Sequence, residues 1–408
     1  MSDLRTYPKR ATDPLGRYYT SQCASEALIS HLRASTPSKI VDLGSGDGAL
    51  SAAARNAWSR AEIITVDIDR SPSHRLHASQ GTKPVRHHHF AYDALRVDLP
   101  ELLGCSVSRP DIAICNPPFI KPKWQKGFAA VMEDANLSGA YGCLRDTTAD
   151  ILFLAQNLRL LRKHGKVGII VPDGIITGKK HSGLRRELAT SHTIESVTRL
   201  PRTAFNGTDA QAFILTITKG KPTVDMILLN EIDLDGALST PVFVAAEEAQ
   251  ARLDYGYYAL RQKQKPSIST LGELSIAILR GRVSSSKRIQ GSSRYFHTTD
   301  FPVDAARLSF AIPKQFRVDG NELDDCTART GDILLARVGR NLEEKVCLVS
   351  SGTAPITDCV YIIRPRAENR NKIINSLMSG VGRRWLQELA HGVGARQLPK
   401  TDLIKLPI

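Results

Sequence analysis

Four consecutive residues, Asn116-Pro117-Pro118-Phe119, carry the most specific chemistry in the chain. The two prolines fix φ and have no N–H, so the backbone here offers carbonyl acceptors without competing donors. The Asn116 side chain adds another carbonyl acceptor, and Phe119 adds a flat apolar face. Acceptors beside a stacking surface suit a planar group with an exocyclic NH2, such as an adenine swung out of a duplex. The same four residues also fit an ordinary proline turn with Phe119 in a core, and the stretch alone does not choose between these readings.

The elements that must position this loop lie upstream. Asp111-Ile112-Ala113-Ile114-Cys115 reads as a buried strand, so the loop sits at a strand end. Ile40-Val41-Asp42-Leu43 reads as another, followed by the turn Gly44-Ser45-Gly46-Asp47-Gly48 and an alanine-rich helix from Ala49 to Trp58. Strand, glycine turn and helix is the layout in which backbone approaches a ligand closely. The spacing is neither the dinucleotide G-x-G-x-x-G nor a phosphate-cradling P-loop, since no Gly-Lys-Ser/Thr closes it. Glu62-Ile63-Ile64-Thr65-Val66 reads as a second strand ending at Asp67, an acid placed to hold a ribose diol. Asp93 follows Phe90-Ala91-Tyr92 at a third strand end. Asp42 fits either a ligand role or a cap on the glycine turn. In an open parallel sheet, ligands sit at the carboxyl ends of strands, where all these residues are expected.

With these motifs in this order, the chain resembles the gamma class of adenine-N6 DNA methyltransferases, enzymes that use S-adenosylmethionine. The resemblance covers nearly the whole chain. It implies a fold of class α/β, a Rossmann-like class I methyltransferase domain followed by a carboxyl-terminal α+β target recognition domain. Gly16-Arg17-Tyr18-Tyr19-Thr20 resembles the motif touching the methionine end of the cofactor, which implies that role for Tyr19 and Thr20; Ser21 stands where the family usually has Pro. The resemblance places Asp42, Gly44 and Gly46 in the cofactor loop and Asp67 on the ribose. It places Ile68 against the adenine ring and Asp93 on the adenine amino group. Asn116, Pro117, Pro118 and Phe119 match the catalytic motif. Gly165 to Pro172 resembles the family's following strand, and Phe205-Asn206-Gly207-Thr208 a motif whose aromatic holds the flipped base. On this reading Asn116 and the Pro117 carbonyl accept from the target amine, while Phe119 and Phe205 hold the base. No metal is required.

A formal charge of +14 favours a polyanionic partner, here double-stranded DNA. Lys121, Lys123 and Lys126 follow the catalytic loop, and Lys179-Lys180 with Arg185-Arg186 precede a helix; these read as phosphate contacts. Seven scattered cysteines without a Cys-x-x-Cys pair argue against a disulfide framework or a zinc site and fit a cytoplasmic setting. His87-His88-His89 reads as a solvated turn, because adjacent residues do not converge on one ion from a strand. The start, Met1-Ser2-Asp3-Leu4-Arg5, is polar, so no signal peptide is expected, and no apolar run is long enough for a membrane span.

With 408 residues, two domains are expected, 1–245 for methyl transfer and 246–408 for target recognition. Asp150 to Leu161 reads as an amphipathic helix stopped by Gly165, and Ala245 to Ala251 as a helical hinge. From about Leu253 the texture changes to short strands, glycine turns and many basic residues. Arg252-Leu253-Asp254 with Tyr257-Tyr258, Gly331 to Gly339, Ile356-Thr357-Asp358 with Tyr361 to Pro365, Gly392 to Ala395 and Leu403 to Pro407 resemble target recognition domains of type I restriction–modification specificity subunits. The chain stops where such a module would begin its spacer helix, which implies one module, a short site and a monomer. A cognate restriction enzyme is a partner the resemblance allows. Asp332, Glu343 and Lys345 echo a nuclease triad, but the Gly-Asp-Ile-Leu segment is better explained by the recognition module.

Three other functions remain open at this point. Asn-Pro-Pro-aromatic loops also occur in enzymes resembling RNA methyltransferases (guanine-N2 or adenine-N6) and protein glutamine methyltransferases. A DNA-binding specificity protein with a dead catalytic fold is the alternative from another class; intact Gly44, Gly46, Asp67 and Asn116 argue against it.

Overall fold

The structure is a computed structural model that describes residues 20–33, 35–70, 86–205, 210–223, 226–264, 269–290, 293–302, 309–313, 315–316, 326–392 and 395–408. The chain divides into two compact units, Met1–Tyr255 and Gly256–Ile408.

The first unit runs α1 (Gln22–Leu32), β1 (Lys39–Leu43), α2 (Ala49–Ala57), β2 (Glu62–Asp67), β3 (His87–Ala91), α3 (Leu99–Leu102), β4 (Ile112–Cys115), α4 (Phe128–Asp134), α5 (Ala149–Leu160), β5 (Lys166–Pro172), α6 (Asp173–Thr177), α7 (Ser182–Ser191), β6 (Thr193–Arg199), β7 (Ala212–Thr218), β8 (Ile227–Glu231) and β9 (Val242–Val244). The sheet order is β3-β2-β1-β4-β5-β7-β6-β8-β9. Strands β1 to β5 pair in parallel, and β7 runs antiparallel to both β5 and β6. The central strands are buried on both faces, which is why β1, β4 and β5 are nearly continuous apolar runs. Helix α1 packs so closely that a Cβ on Gly168 of β5 would lie 2.9 Å from the ends of the Leu28 and Leu32 side chains, which would have to shift to admit it.

The strand order supplies the site. The chain moves outward from β1 to β2 and β3, then returns to place β4 on the other side of β1. Leu43 therefore stands beside Cys115, and the two loops that leave these strands emerge together. Open α/β sheets bind ligands at such a reversal point.

Two expectations need correction. Helix α5 is not amphipathic in its burial: Asp150, Gln156 and Asn157 are buried along with its apolar residues. It packs against β4, β5 and α4, so no face is left for water. Its polar side chains bond to backbone instead: Gln156 Nε2 donates to the carbonyls of Ala94 (3.0 Å) and Arg96 (2.7 Å), and Asn157 Nδ2 to that of Phe153 (2.8 Å).

His87-His88-His89 is not a turn but the start of the edge strand β3. Alternation sends His87 and His89 to the Thr65 hydroxyl on β2, at 2.9 and 3.0 Å, while His88 lies 3.9 Å from Glu62. Among the described residues, no group of three His, Cys, Asp or Glu side chains is placed to hold a metal ion.

The first compact unit runs on past residue 245 to Tyr255. Arg185 on α7 is the cause. It is 1% exposed, and its guanidinium donates to the carbonyls of Ala249 (2.9 Å), Gln250 (3.0 Å) and Ala251 (2.8 Å), as well as to Ile175 and Gly178. The segment after residue 245 is thus tied into the first unit. The same burial removes Arg185 from the set of phosphate contacts.

The second unit contains α8 (Tyr255–Gln262), which begins at the division, α9 (Leu271–Leu274), β10 (Ser275–Arg280), β11 (Ser309–Ala311), β12 (Ile333–Ala336), β13 (Val346–Ser351), β14 (Val360–Pro365), α10 (Arg370–Met378), α11 (Gly380–Leu389) and α12 (Lys400–Ile404). Its main sheet has the order β10-β14-β12-β13-β11, antiparallel except for the β11–β13 pair. The short strands β12 and β14 are central, and their apolar residues share one core with Trp385, Leu386 and Leu403. The carboxylates that echoed a nuclease are both engaged by arginine. Asp332 is 2% exposed and accepts two 2.9 Å bonds from Arg364, while Glu343 accepts from Arg396 (3.1 Å) and Gln387 (2.8 Å). No helix among the described residues is long and apolar enough to cross a membrane.

Candidate active site

The site is built from the glycine turn upward. Gly44, Gly46 and Gly48 have φ of +71°, +50° and +82°, a backbone that other residues adopt only with strain. Gly44 is constrained twice, since a Cβ there would also lie 3.1 Å from Cε1 of Phe153 on α5. The turn is braced from the neighbouring strand. Asp67, at the tip of β2 and 7% exposed, accepts from the Gly46 N–H (2.8 Å) through Oδ2 and from the Asp69 N–H (3.0 Å) through Oδ1. Each carboxylate oxygen has a second lone pair, so Asp67 retains capacity to accept from a ligand hydroxyl.

Above these residues lies a cavity of about 250 Å³. Its walls are residues 44–47 with Ala49 and Leu50, Asp67 and Ile68, residues 93–95, Asn116, Pro118, Ile120 and Pro122, together with Thr20, Ala149 and Phe153. The ends of β1, β2, β3 and β4 thus converge on one space. Ile68 is 59% exposed, an apolar side chain that offers a planar ligand a face to rest on. Asp93 is exposed, and its Oδ1 takes the Leu95 N–H at 2.9 Å. Gln156 holds the backbone on either side of Leu95, so the segment carrying Asp93 is pinned from below. The apolar wall formed by Leu50, Leu95, Ile120, Pro122 and Phe153 was not anticipated. Phe153 had no local signal, because within an apolar helical run it reads as core.

Asn116 and Pro118 reach this cavity from the loop after β4, and Thr20 reaches it from the segment before α1. Asn116 Nδ2 donates to Thr20 Oγ1 at 2.9 Å. Pro117 is buried and does not line the cavity. Nor does Phe119, which is half-buried against the apolar cluster that includes Leu28, Leu200 and Phe205. Phe205 is 5% exposed, and its backbone bridges to that of Thr20. The two aromatics expected on the target base therefore belong to one cluster, away from the cavity lining. Tyr19 and residues 206–208 lie outside the described residues.

Asp42 is fully buried and does not line the cavity. Its position in β1 points it at α2, where the Ser51 hydroxyl donates to its Oδ2. Burial pushes its pKa up to about 7, against the opposing effect of the Ser51 hydrogen bond. An acid with a raised folded pKa destabilises the fold as pH climbs from its unfolded value of 3.8 to about 7, since only the unfolded chain ionises freely there. Asp42→Asn removes that titration. Between pH 4 and 8 the variant is expected to lose at least about 1 kcal/mol less stability than the parent protein, read by urea unfolding. Parallel pH profiles for the two proteins would refute the assignment.

Lys121, Lys123, Lys126, Lys179 and Lys180 are all exposed. Lys121 also pairs with Asp146 at 3.2 Å.

A family model described as N-6 DNA methylase matches residues 3–238. The methylase subunit of the type I restriction enzyme EcoEI from Escherichia coli is 23% identical over 258 residues, which cover 59% of this chain and 50% of that protein. The chain thus spans half the length of that relative. Among solved structures, the type IIG restriction endonuclease BpuSI matches with a TM-score of 0.54 at 12% identity, over 96% of this chain and 59% of that one. A modification subunit of a putative type I restriction enzyme from Vibrio vulnificus matches with a TM-score of 0.43 at 18% identity, over 54% of this chain and 48% of that one.

Proposed function

The chain belongs to the N-6 DNA methylase family, and on that premise we propose that it is a site-specific DNA methyltransferase that methylates adenine N6. The observation that carries the proposal is the meeting of Asn116 with the glycine turn and Asp67 at a single cavity. The cofactor is S-adenosylmethionine, which when bound supplies an electrophilic methyl group. The walls fit it: side-chain-free backbone at Gly44 and Gly46, an acid at Asp67 for a sugar diol, the exposed face of Ile68 for a purine, and Asp93 for an exocyclic amine.

The adenine amine is a poor nucleophile because its lone pair is delocalised into the ring. The Asn116 side-chain carbonyl and the Pro117 backbone carbonyl accept hydrogen bonds from its two N–H groups. That favours a pyramidal, more nucleophilic nitrogen and stabilises the charge that develops on it. No general base is required, because the proton lost after transfer goes to solvent. The base is extrahelical and lies beside the cofactor cavity rather than in it, stacking on the accessible part of the half-buried Phe119; such stacking is worth about 1–3 kcal/mol per base. Phe205, packed in the same cluster, backs that platform.

The second unit reads the target sequence as a single recognition module similar to those of type I specificity subunits, and one copy of the chain acts as a monomer. A cognate restriction enzyme is its partner in a restriction–modification setting.

Transfer of a labelled methyl group to duplex DNA, RNA and protein in parallel tests the reading. Label on duplex DNA adenine supports it, and label confined to RNA or protein overturns it. Lys121, Lys123, Lys179 and Lys180 contact the DNA backbone. Replacing Lys179 and Lys180 with Ala is expected to weaken DNA binding and to flatten the plot of log affinity against log salt by about 1 unit per lysine. An unchanged slope would remove these lysines from the interface.

A further inference from the structure

The geometry points to Thr20 as the residue that sets the orientation of the Asn116 amide, a positioning residue for methyl transfer as well as a wall of the cavity. The inference rests on the reading of Asn116 as the acceptor for the target amine. The two residues lie 96 positions apart in sequence, yet the amide nitrogen of one donates to the hydroxyl of the other at 2.9 Å.

Thr20 is held firmly enough to do this. It is 6% exposed, and its backbone bridges to Phe205. The next residue, Ser21, caps α1 by accepting the Ala24 N–H at 3.2 Å. An asparagine amide has a donor end and an acceptor end. Fixing Nδ2 against Thr20 fixes where Oδ1 stands, and Oδ1 is the atom the chemistry needs.

A hydroxyl can also donate, so Thr20 could in principle meet either end of the amide. An anionic ligand bound in the cavity would resolve this. A hydroxyl has one proton; while it accepts from Asn116, that proton is directed elsewhere, and Thr20 lines the cavity. An anionic group in the cavity that takes the proton leaves Thr20 able only to accept. The flipped amide, with Oδ1 toward Thr20, then loses its partner. Occupancy of the cavity and orientation of the Asn116 amide are thus linked through one hydroxyl, and valine, which matches threonine in shape, breaks the link.

The test compares Thr20→Val, Thr20→Ser and the parent protein in single-turnover methyl transfer to duplex DNA at saturating S-adenosylmethionine, with cofactor affinity measured separately by calorimetry. Thr20→Val is expected to slow transfer about 10- to 100-fold, as for a catalytic group held loosely, while cofactor affinity changes by less than about tenfold. Thr20→Ser, which keeps the hydroxyl, is expected to recover the rate to within about threefold. A parent-like rate for Thr20→Val at saturating cofactor would reduce Thr20 to a cofactor contact and overturn the inference. A Thr20→Ser variant as slow as Thr20→Val would overturn it too. A parent protein that transfers no methyl group to DNA would instead overturn the functional reading on which it rests. In urea unfolding, the Thr20→Val, Asn116→Ala double variant should be less destabilised than the two single variants added together; strict additivity would refute the coupling whatever the substrate.

Discussion

Replacing Asn116 with Ala is expected to lower methyl transfer by about 10³-fold, roughly 4 kcal/mol of transition-state stabilisation, while S-adenosylmethionine should bind within about threefold of the parent affinity. The expected split follows from where the side chain stands. On the proposed mechanism, Asn116 contributes an acceptor for a nitrogen that becomes electron-poor only as the new bond forms. Removing it therefore acts on the transition state rather than on either bound ground state. The glycine turn, Asp67 and Asp93 hold the other side of the cavity and are untouched by the change. Rapid turnover by Asn116→Ala, with cofactor saturating, would remove the mechanism, whereas loss of cofactor binding would show that the residue acts in the pocket instead.

Asp67→Ala should do the opposite. The carboxylate accepts from the backbone N–H of both Gly46 and Asp69, so its removal frees two donors as well as the acid expected on the ribose. A hydrogen bond to a charged group is worth about 1.5–3 kcal/mol, and losing the equivalent of one or two raises the cofactor Kd by about 100-fold. Most of the transfer rate should return at saturating cofactor, which separates this variant from Asn116→Ala. Asp67→Asn keeps a carbonyl oxygen and should fall between the two. Calorimetry checks all three, and undiminished affinity in Asp67→Ala would relocate the cofactor.

The contrast between these variants reflects how much of the site could be read along the chain. Gly44, Gly46, Asp67, Ile68 and Asp93 were legible because each marks the end of a strand, and local residue types announce that end: glycines where φ must be positive, an acid where an apolar run stops. Asn116 and Pro118 were legible for the same reason, since a Pro-Pro pair cannot continue a strand. That all of them face one cavity follows from parallel pairing, which puts every carboxyl end on the same edge.

Asp42 shows the limit. It lies in the same motif, one residue before Leu43, but strand alternation decides whether it points at the turn or at α2, and the packing of α2 through Ser51 made that choice. The three histidines show it again. As a polar triple they read as a turn, but β2 offered them a partner strand and Thr65 a shared hydroxyl. Phe119 and Phe205 were assigned from motif alone, and their common cluster away from the cavity lining could not be seen without the packing of α1.

By itself the sequence determined the residue types at the strand ends it marks and the chemistry they can offer, because these are local consequences of φ restrictions and apolar periodicity. Only the tertiary structure decided that β4 returns beside β1, that Phe153 closes on Gly44, that Arg185 keeps residues 246–251 with the first unit and that Thr20 meets Asn116. Those are contacts between segments far apart along the chain. They depend on which helix covers which face of the sheet, a choice made by the packing of the whole core and recorded in no single stretch of residues.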